Sequence, residues 1–286
     1  MKKVIITGAT GFLGIVLVKE FIKNGVFVYA ICRENSRRIS RLDGLENIKI
    51  IETKLNCQAE LTEICKMSKI DGADVFYHLA WGGERNSFGE QYKNVDISVN
   101  CLRLAEKLGC KRFVCAGSQA EYGNTTDLIT EETLLRPSTA YGSCKAAAYY
   151  LTADLAKRLN IEHTWVRIFS VFGEHDNPNT LVSQLMDSIK TNGVFSLATD
   201  GKHIWNYLHE ADAARALYLI GECKETNTVF NLAHPISRQL MDYVEGFRET
   251  ISPESVVTYG TERSITNLNV STDRLRRALD WSPDSL

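Results

Sequence analysis

Short apolar runs alternate with longer amphipathic stretches along most of the chain. The runs of strand length, rich in β-branched and aromatic residues, are 4–7, 26–31, 48–53, 75–79, 113–116, 163–169 and 228–232. Apolar residues recur at helical spacing in the stretches 11–24, 94–108 and 141–159. This alternation predicts an α/β fold, in which helices cover both faces of a parallel sheet. Ligands of such sheets bind at the carboxyl ends of the strands.

The pattern becomes less regular after about residue 170, where prolines at 178, 235, 253 and 283 separate shorter elements. We therefore predict that residues 1–168, with a returning segment at about 205–232, form the sheet domain. Residues 169–204 and 233–286 are predicted to form a smaller, irregular C-terminal lobe, which would select the substrate.

Composition is that of an ordinary globular enzyme. The chain has 286 residues, a formal net charge of −2 and 24% charged residues, so we expect neither a nucleic-acid nor a membrane partner. The apolar run that begins at Val4 ends at Thr7-Gly8 with no cleavage site after it, and we expect a cytoplasmic protein. The histidines and cysteines lack paired ligand spacing, so no metal site is expected.

The first candidate site is the segment TGATGFLG at positions 7–14, between the first predicted strand and the first predicted helix. A glycine-rich loop there leaves room for a dinucleotide pyrophosphate against the free N–H groups of the helix. Glycines also mark plain turns, so the loop alone does not decide the function.

The second candidate site is Tyr141-Gly-Ser-Cys-Lys145. Residues four apart share a helix face, so the phenol and the ammonium can converge, and the cation favours the phenolate. Ser118 ends a predicted strand nearby and would present its hydroxyl at the same edge of the sheet. An exposed tyrosine and lysine on an amphipathic helix is the alternative.

Together these motifs resemble the extended short-chain dehydrogenase/reductases, in particular the NAD-dependent epimerase/dehydratase family, which acts on nucleotide-linked sugars. The segments that carry the resemblance are TGATGFLG (7–14), HLA (78–80), NV (94–95), GSQAEYG (117–123), YGSCK (141–145), RIFSVFG (167–173) and WSP (281–283). The resemblance implies a Rossmann-type doubly wound parallel sheet. It also implies that Asn94-Val95 opens a helix.

Site residues are implied by the resemblance. The implied catalytic residues are Ser118, Tyr141 and Lys145: Tyr141 would exchange a proton with the sugar, Ser118 would hydrogen-bond the same oxygen, and Lys145 would favour the phenolate and hold the nicotinamide ribose. The implied cofactor-binding residues are Thr7, Gly8, Thr10, Gly11, Phe12, Leu13, Gly14, Leu79, Ala80, Trp81, Asn94, Ala116, Gly117, Tyr141, Lys145, Ser170 and Val171. The implied substrate-binding residues are Ser118, Gln119, Ala120, Tyr141, Ser170, His175, Trp205 and Asn206.

The two residues directly after Ser118 limit which reactions of the family this chain can catalyse. Dehydratases of this family carry an Asp-Glu pair there, whereas this chain has Gln119-Ala120, which cannot supply the acid and base for elimination. On a strand, Glu121 would face the other way. Dehydration is therefore disfavoured, and a reductase and an epimerase remain.

The end of the second strand bears on the cofactor. Cys32 occupies the position where family NAD epimerases carry an acid. Arg33 follows it, with Arg37 and Arg38 close behind, as candidate ligands of a 2′-phosphate. Glu34 instead favours NAD(H), since it lies about 20 residues past Gly14, the usual distance for an acid that binds the ribose hydroxyls. We expect NADP(H) ahead of NAD(H).

An NADPH preference favours net reduction, so our first expectation is a 4-ketoreductase acting on a nucleotide-diphosphate deoxysugar, with an NAD-dependent 4-epimerase as the alternative. A non-catalytic NADP(H) sensor is a third hypothesis from another class.

In relatives, helices placed like 94–108 and 141–159 form a dimer interface, so a homodimer is expected. Trp205 and Asn206 replace the family's arginine and aspartate, so a phosphate-binding arginine cannot be carried over.

Overall fold

The computed structural model describes residues 1–55, 58–191, 193–264 and 266–284. Its centre is a seven-stranded parallel sheet with strand order β11-β6-β5-β4-β1-β2-β3. These strands are β1 (Lys3–Thr7), β2 (Phe27–Cys32), β3 (Ile48–Glu52), β4 (Val75–His78), β5 (Arg112–Ser118), β6 (Glu162–Ile168) and β11 (Thr228–Leu232). The order reverses beside β1, so the carboxyl ends of β1 and β4 border a crevice suited to a ligand.

Both faces of the sheet are buried, because successive side chains of each strand enter different cores. On β1, Val4 and Ile6 belong to one apolar cluster and Ile5 to the other. The helices are α1 (Phe12–Lys23), α2 (Gln58–Met67), α3 (Phe88–Lys107), α4 (Ala140–Leu159), α5 (Leu181–Lys190), α6 (Glu210–Glu222), α7 (Leu240–Ile251) and α8 (Asp273–Leu279). None of these described helices has the length and hydropathy needed to cross a membrane.

The later part of the chain adds short strands and a smaller core. The strands are β7 (Ser170–Phe172), β8 (Val194–Thr199), β9 (Ile204–Trp205), β10 (Tyr207–His209), β12 (Arg238–Gln239) and β13 (Val256–Glu262). They form three two-stranded sheets: β10-β7, β12-β9 and β13-β8. Leu185 and Ile189 of α5 pack with Leu240 and Val244 of α7 in the smaller core. The domain boundaries proposed from the sequence stay a prediction.

The predicted sheet is confirmed, and no strand end differs from its predicted position by more than two residues. The largest difference concerns α3, which begins at Phe88, so the expectation that Asn94-Val95 opens this helix is wrong. The first turn is exposed at Phe88 and Gly89, and it lacks the apolar spacing from which the helix was predicted.

Candidate functional site

The glycine loop connects β1 to α1 and lies against the loop after β4. Gly8 has φ +75°, and a Cβ there would lie 2.7 Å from the backbone nitrogen of Ala80. A Cβ on Gly14, in the first turn of α1, would lie 2.0 Å from the carbonyl oxygen of Gly8. Gly11 caps α1 without a side chain, and the first turn holds no acidic residue. The loop is therefore too tight for side chains, and it leaves the positive end of α1 available to an anion.

A cavity of about 630 Å³ opens beside this loop. The predicted cofactor residues that line it are Gly8, Thr10, Gly11, Arg33, Leu79, Ala80, Trp81 and Asn94. It also reaches Glu34, Arg38, Thr53 and Leu55. Its size, its glycine floor and its place at the carboxyl ends of β1, β2 and β4 fit a dinucleotide.

Several predicted cofactor residues are not among those lining the cavity: Thr7, Phe12, Leu13, Gly14, Arg37, Ala116, Gly117, Tyr141, Lys145, Ser170 and Val171. Arg37 is exposed and is not among the lining residues, whereas its neighbour Arg38 is; the predicted contact of Arg37 with the cofactor stays a prediction. Register alone could not separate the two, since both follow the end of β2.

Thr7 and Asn94 hold neighbouring residues of the site in place through hydrogen bonds. The Thr7 hydroxyl lies 2.8 Å from Nδ1 of His78, whose Nε2 lies 3.0 Å from the Ser98 hydroxyl. Ser98 donates to the Asn94 carbonyl, so we infer that the neutral ring donates from Nε2 and accepts at Nδ1. Burial, together with the nearby Lys145 cation, lowers the pKa of His78 to about 3. The Asn94 amide binds both the N–H and the carbonyl of Gly82, and so fixes the loop after β4.

The three predicted catalytic residues lie on adjoining elements. Ser118 ends β5, and Tyr141 and Lys145 lie in the first two turns of α4. A Cβ on Gly142 would lie 2.3 Å from the carbonyl oxygen of Ala120, so the start of α4 packs directly on the turn after Ser118. The Thr139 hydroxyl accepts a hydrogen bond from Gly142 N and caps α4 there.

Lys145 is buried, and Tyr141 is half-buried. The Lys145 ammonium donates to the carbonyl of Ala116 at 2.5 Å and lies 3.7 Å from the centre of the Trp81 ring. Trp81 in turn meets the Tyr141 ring edge-on, with centroids 6.1 Å apart. The Lys145 ammonium lies 5.9 Å from the centre of the Tyr141 ring, so the phenol ring and the cation are neighbours, with an indole beside both.

Arg85 is a neighbour of Tyr141 that the sequence did not reveal. Its guanidinium carbon lies 4.4 Å from the centre of the Tyr141 ring, and its carbonyl accepts from Tyr141 N. These residues are far apart in sequence and their contact depends on the loop after β4, so no motif could have indicated it.

Glu121 lies in a 3₁₀ turn, Gln119–Glu121, so its expected position on a strand is wrong. Its buried carboxylate accepts hydrogen bonds from Ser118 N, from Trp165 Nε1 and from Arg167 Nε at 2.8 Å. A Cβ on Gly117 would collide with both Trp165 and Glu121, so the glycine before Ser118 makes this arrangement possible. The Glu121 carboxylate is therefore occupied by hydrogen bonds within the protein. This makes it unsuited to proton transfer with a substrate.

Of the predicted substrate residues, Asn206 is fully buried, whereas Ser170 and Trp205 lie in short strands and are partly buried. The Asn206 amide accepts from His234 N and donates to the His234 carbonyl and to Ser237. These bonds serve the structure, and the predicted substrate contact of Asn206 stays a prediction. Ser170 and Val171 lie in β7, and Trp205 lies in β9, partly buried. Among the described residues, the buried Oε1 of Gln119 has no hydrogen-bond partner.

His175 lies in the loop after β7, next to Asp176. Burial raises the pKa of Asp176, although the Thr180 hydroxyl bound to its carboxylate opposes that shift. Within the described part of the chain, no group of three His, Cys, Asp or Glu residues could hold a metal ion.

Comparison with known proteins decides the family. The model of the NAD dependent epimerase/dehydratase family matches residues 4–233. The chain belongs to this family. The predicted membership of the extended short-chain dehydrogenase/reductases and the Rossmann-like fold are thereby confirmed.

Individual relatives in this family are distant. The chain is 24% identical over 242 residues to the uncharacterized UDP-glucose epimerase YtcB of Bacillus subtilis, covering 77% of this chain and 75% of that one. It is 24% identical over 248 residues to the dTDP-6-deoxy-L-talose 4-dehydrogenase (NAD(+)) of Aggregatibacter actinomycetemcomitans, covering 85% and 88%. The UDP-glucuronic acid 4-epimerase of Bacillus cereus, solved with NAD, superimposes with a TM-score of 0.85 at 19% identity, covering 99% and 94%.

Proposed function

We propose that this protein transfers a hydride between a nicotinamide dinucleotide and a carbon of a nucleotide-linked sugar. The observation that carries the proposal is the gathering of Ser118, Tyr141 and Lys145 beside the cavity of the glycine loop. Family membership supports a dinucleotide as the hydride carrier and a sugar nucleotide as the substrate.

Each of the three residues has a chemical task in this proposal. Tyr141 gives a proton to, or takes one from, the oxygen on the reacting carbon. Lys145 is held by the Ala116 carbonyl and supplies positive charge that favours the phenolate. Ser118 hydrogen-bonds the same sugar oxygen, and Glu121 fixes its backbone through Ser118 N.

We propose NAD(H) as the first cofactor, with NADP(H) as the second candidate. Glu34 lines the cavity and is suited to the ribose hydroxyls, and a related dehydrogenase and a structural neighbour are described with NAD. Arg33 and Arg38 line the same cavity and are the observation that favours a 2′-phosphate. The NADP preference expected from the sequence stays a prediction.

For the reaction, we propose reduction of a 4-ketosugar first and 4-epimerisation second. The talose 4-dehydrogenase relative supports an oxidoreductase, and relatives named as epimerases support the alternative. Neither reaction needs the acid and base that Gln119-Ala120 cannot provide. Since Glu121 is held by Arg167, it does not restore them.

The test uses two substrates with the purified protein. With a nucleotide-linked 4-keto-6-deoxyhexose, a reductase consumes one equivalent of NADH or NADPH per sugar. With UDP-glucose, an epimerase produces the 4-epimer without net consumption of cofactor. Replacing Tyr141 by Phe should remove either activity and leave dinucleotide binding intact. If Tyr141→Phe retains full turnover, the proposed role of Tyr141 is wrong. If cells that carry this variant keep every phenotype of the wild type, the non-catalytic NADP(H) sensor is favoured.

We also propose a homodimer through α3 and α4, which pack on each other. Phe88 and Tyr92 of α3 and Tyr150 and Leu151 of α4 are exposed large apolar side chains. Exposed apolar residues that lie together mark interaction surfaces. Sedimentation should give twice the chain mass. Tyr150→Asp should shift the protein toward the monomer, and a wild-type monomer at high concentration would exclude this dimer.

A further inference from the structure

Lys145 is a deeply buried cation. Only 3% of its surface is exposed, and no ion pair to it is found among the described residues. Its ammonium contacts the carbonyl of Ala116 and the face of the Trp81 ring. An aromatic face attracts a desolvated cation strongly, so the indole is a main part of what compensates the burial of this charge.

The Trp81 ring is itself held in place. Its Nε1 donates to Oε1 of Gln91 at 2.7 Å, and Gln91 is fully buried. The Gln91 amide nitrogen donates to the carbonyls of Gly82 and Glu84, so α3 fixes both the indole and the loop after β4. Because Gln91 fixes the Trp81 indole, the ring can in turn restrict the position of the Lys145 ammonium that lies against its face.

Trp81 also borders two parts of the site at once. It lines the cavity of the glycine loop, whereas Lys145 and Tyr141 are not among the lining residues. The indole therefore borders the cavity and also contacts the ammonium. We propose that Trp81 is a positioning residue, which holds the Lys145 ammonium between Ala116 and Tyr141 and thereby sets the geometry of proton transfer. The role of Lys145 here rests on the proposed function.

A double-mutant cycle tests the contact without any activity assay. Trp81→Leu, Lys145→Met and the double variant are compared with the wild type by urea unfolding. We expect the effects to be non-additive by about 5- to 30-fold in the unfolding equilibrium constant. Additive effects would overturn the proposal. In a second measurement on folded protein, Lys145→Met should change the tryptophan emission, and this change should vanish in a Trp81→Phe background; its persistence there would also overturn the proposal.

Turnover tests the positioning role. Trp81→Leu should lower kcat by about 10- to 100-fold, while Trp81→Phe, which keeps an aromatic face, should restore most of kcat. Trp281→Leu is the matched control, since it removes a buried indole from the main core and should leave kcat unchanged. An unchanged kcat in Trp81→Leu would overturn the positioning role. A wild type without turnover would instead overturn the proposed function, and the cycle would still decide the contact.

Discussion

Replacing Glu121 by Gln should be among the most destabilising single changes in the sheet domain. Glu121 and Arg167 are almost completely buried, with 0% and 2% of their surfaces exposed, and their charged atoms lie 2.8 Å apart. At an effective dielectric constant of about 20, that separation corresponds to an attraction of about 6 kcal/mol, which opposes the desolvation of both groups. A glutamine removes the charge and also turns an NH₂ group toward donors.

The expected cost is about 3–5 kcal/mol of the free energy of unfolding, the range for a buried pair that loses one partner. Urea unfolding with an unchanged m-value would measure it. Arg167→Leu should cost a similar amount, and Glu121→Leu combined with Arg167→Leu should cost clearly less than the sum, because no buried charge is left unpaired. A loss below about 1 kcal/mol in Glu121→Gln would mean that the buried pair stabilises the protein no more than an exposed ion pair does.

The other predictions concern the cofactor, the surroundings of the ring and the response to acid. Arg33→Ala should weaken NADP(H) binding more than NAD(H) binding, and Glu34→Ala should do the reverse, as measured by calorimetry with each dinucleotide; equal losses would contradict the assignment. Arg85→Leu should lower kcat/KM while Arg277→Leu, an exposed control on α8, leaves it unchanged, and steady-state kinetics checks this. Because the folded-state pKa of His78 lies near 3 and the ordinary value near 6.5, its contribution to stability is present above pH 6.5 and lost as the pH falls toward 3. His78→Gln should therefore flatten the decline in unfolding free energy between pH 6.5 and pH 4, and an unchanged slope would contradict it.

Local patterns were sufficient for part of the site. The glycine loop was predictable because strand, loop and helix are contiguous in sequence. Tyr141 and Lys145 were predictable because a helix places residues four apart on one face. Ser118 was predictable from the end of its strand.

Contacts between distant segments could not be predicted in this way. Glu121 meets Arg167 only because β5 and β6 are neighbours, and Trp81 reaches Lys145 only because α4 packs beside the loop after β4. Asn206 was assigned to substrate by its place in a motif, but its amide binds His234, which comes from a separate segment. Long-range packing thus decided which polar residues serve structure and which remain free for chemistry.

The most direct test of the account is the thermal stability of the purified protein with NAD⁺, NADH, NADP⁺ and NADPH in turn, after a denatured portion has been examined for nucleotide that co-purified. A ligand at about 100 times its Kd stabilises the folded state by about 2.7 kcal/mol, which raises Tm by about 5 °C in a chain of this size. We expect such a rise with NAD⁺ or NADH, or retained NAD in the denatured portion. No rise with any of the four and no retained nucleotide would show that the cavity beside the glycine loop does not bind a dinucleotide.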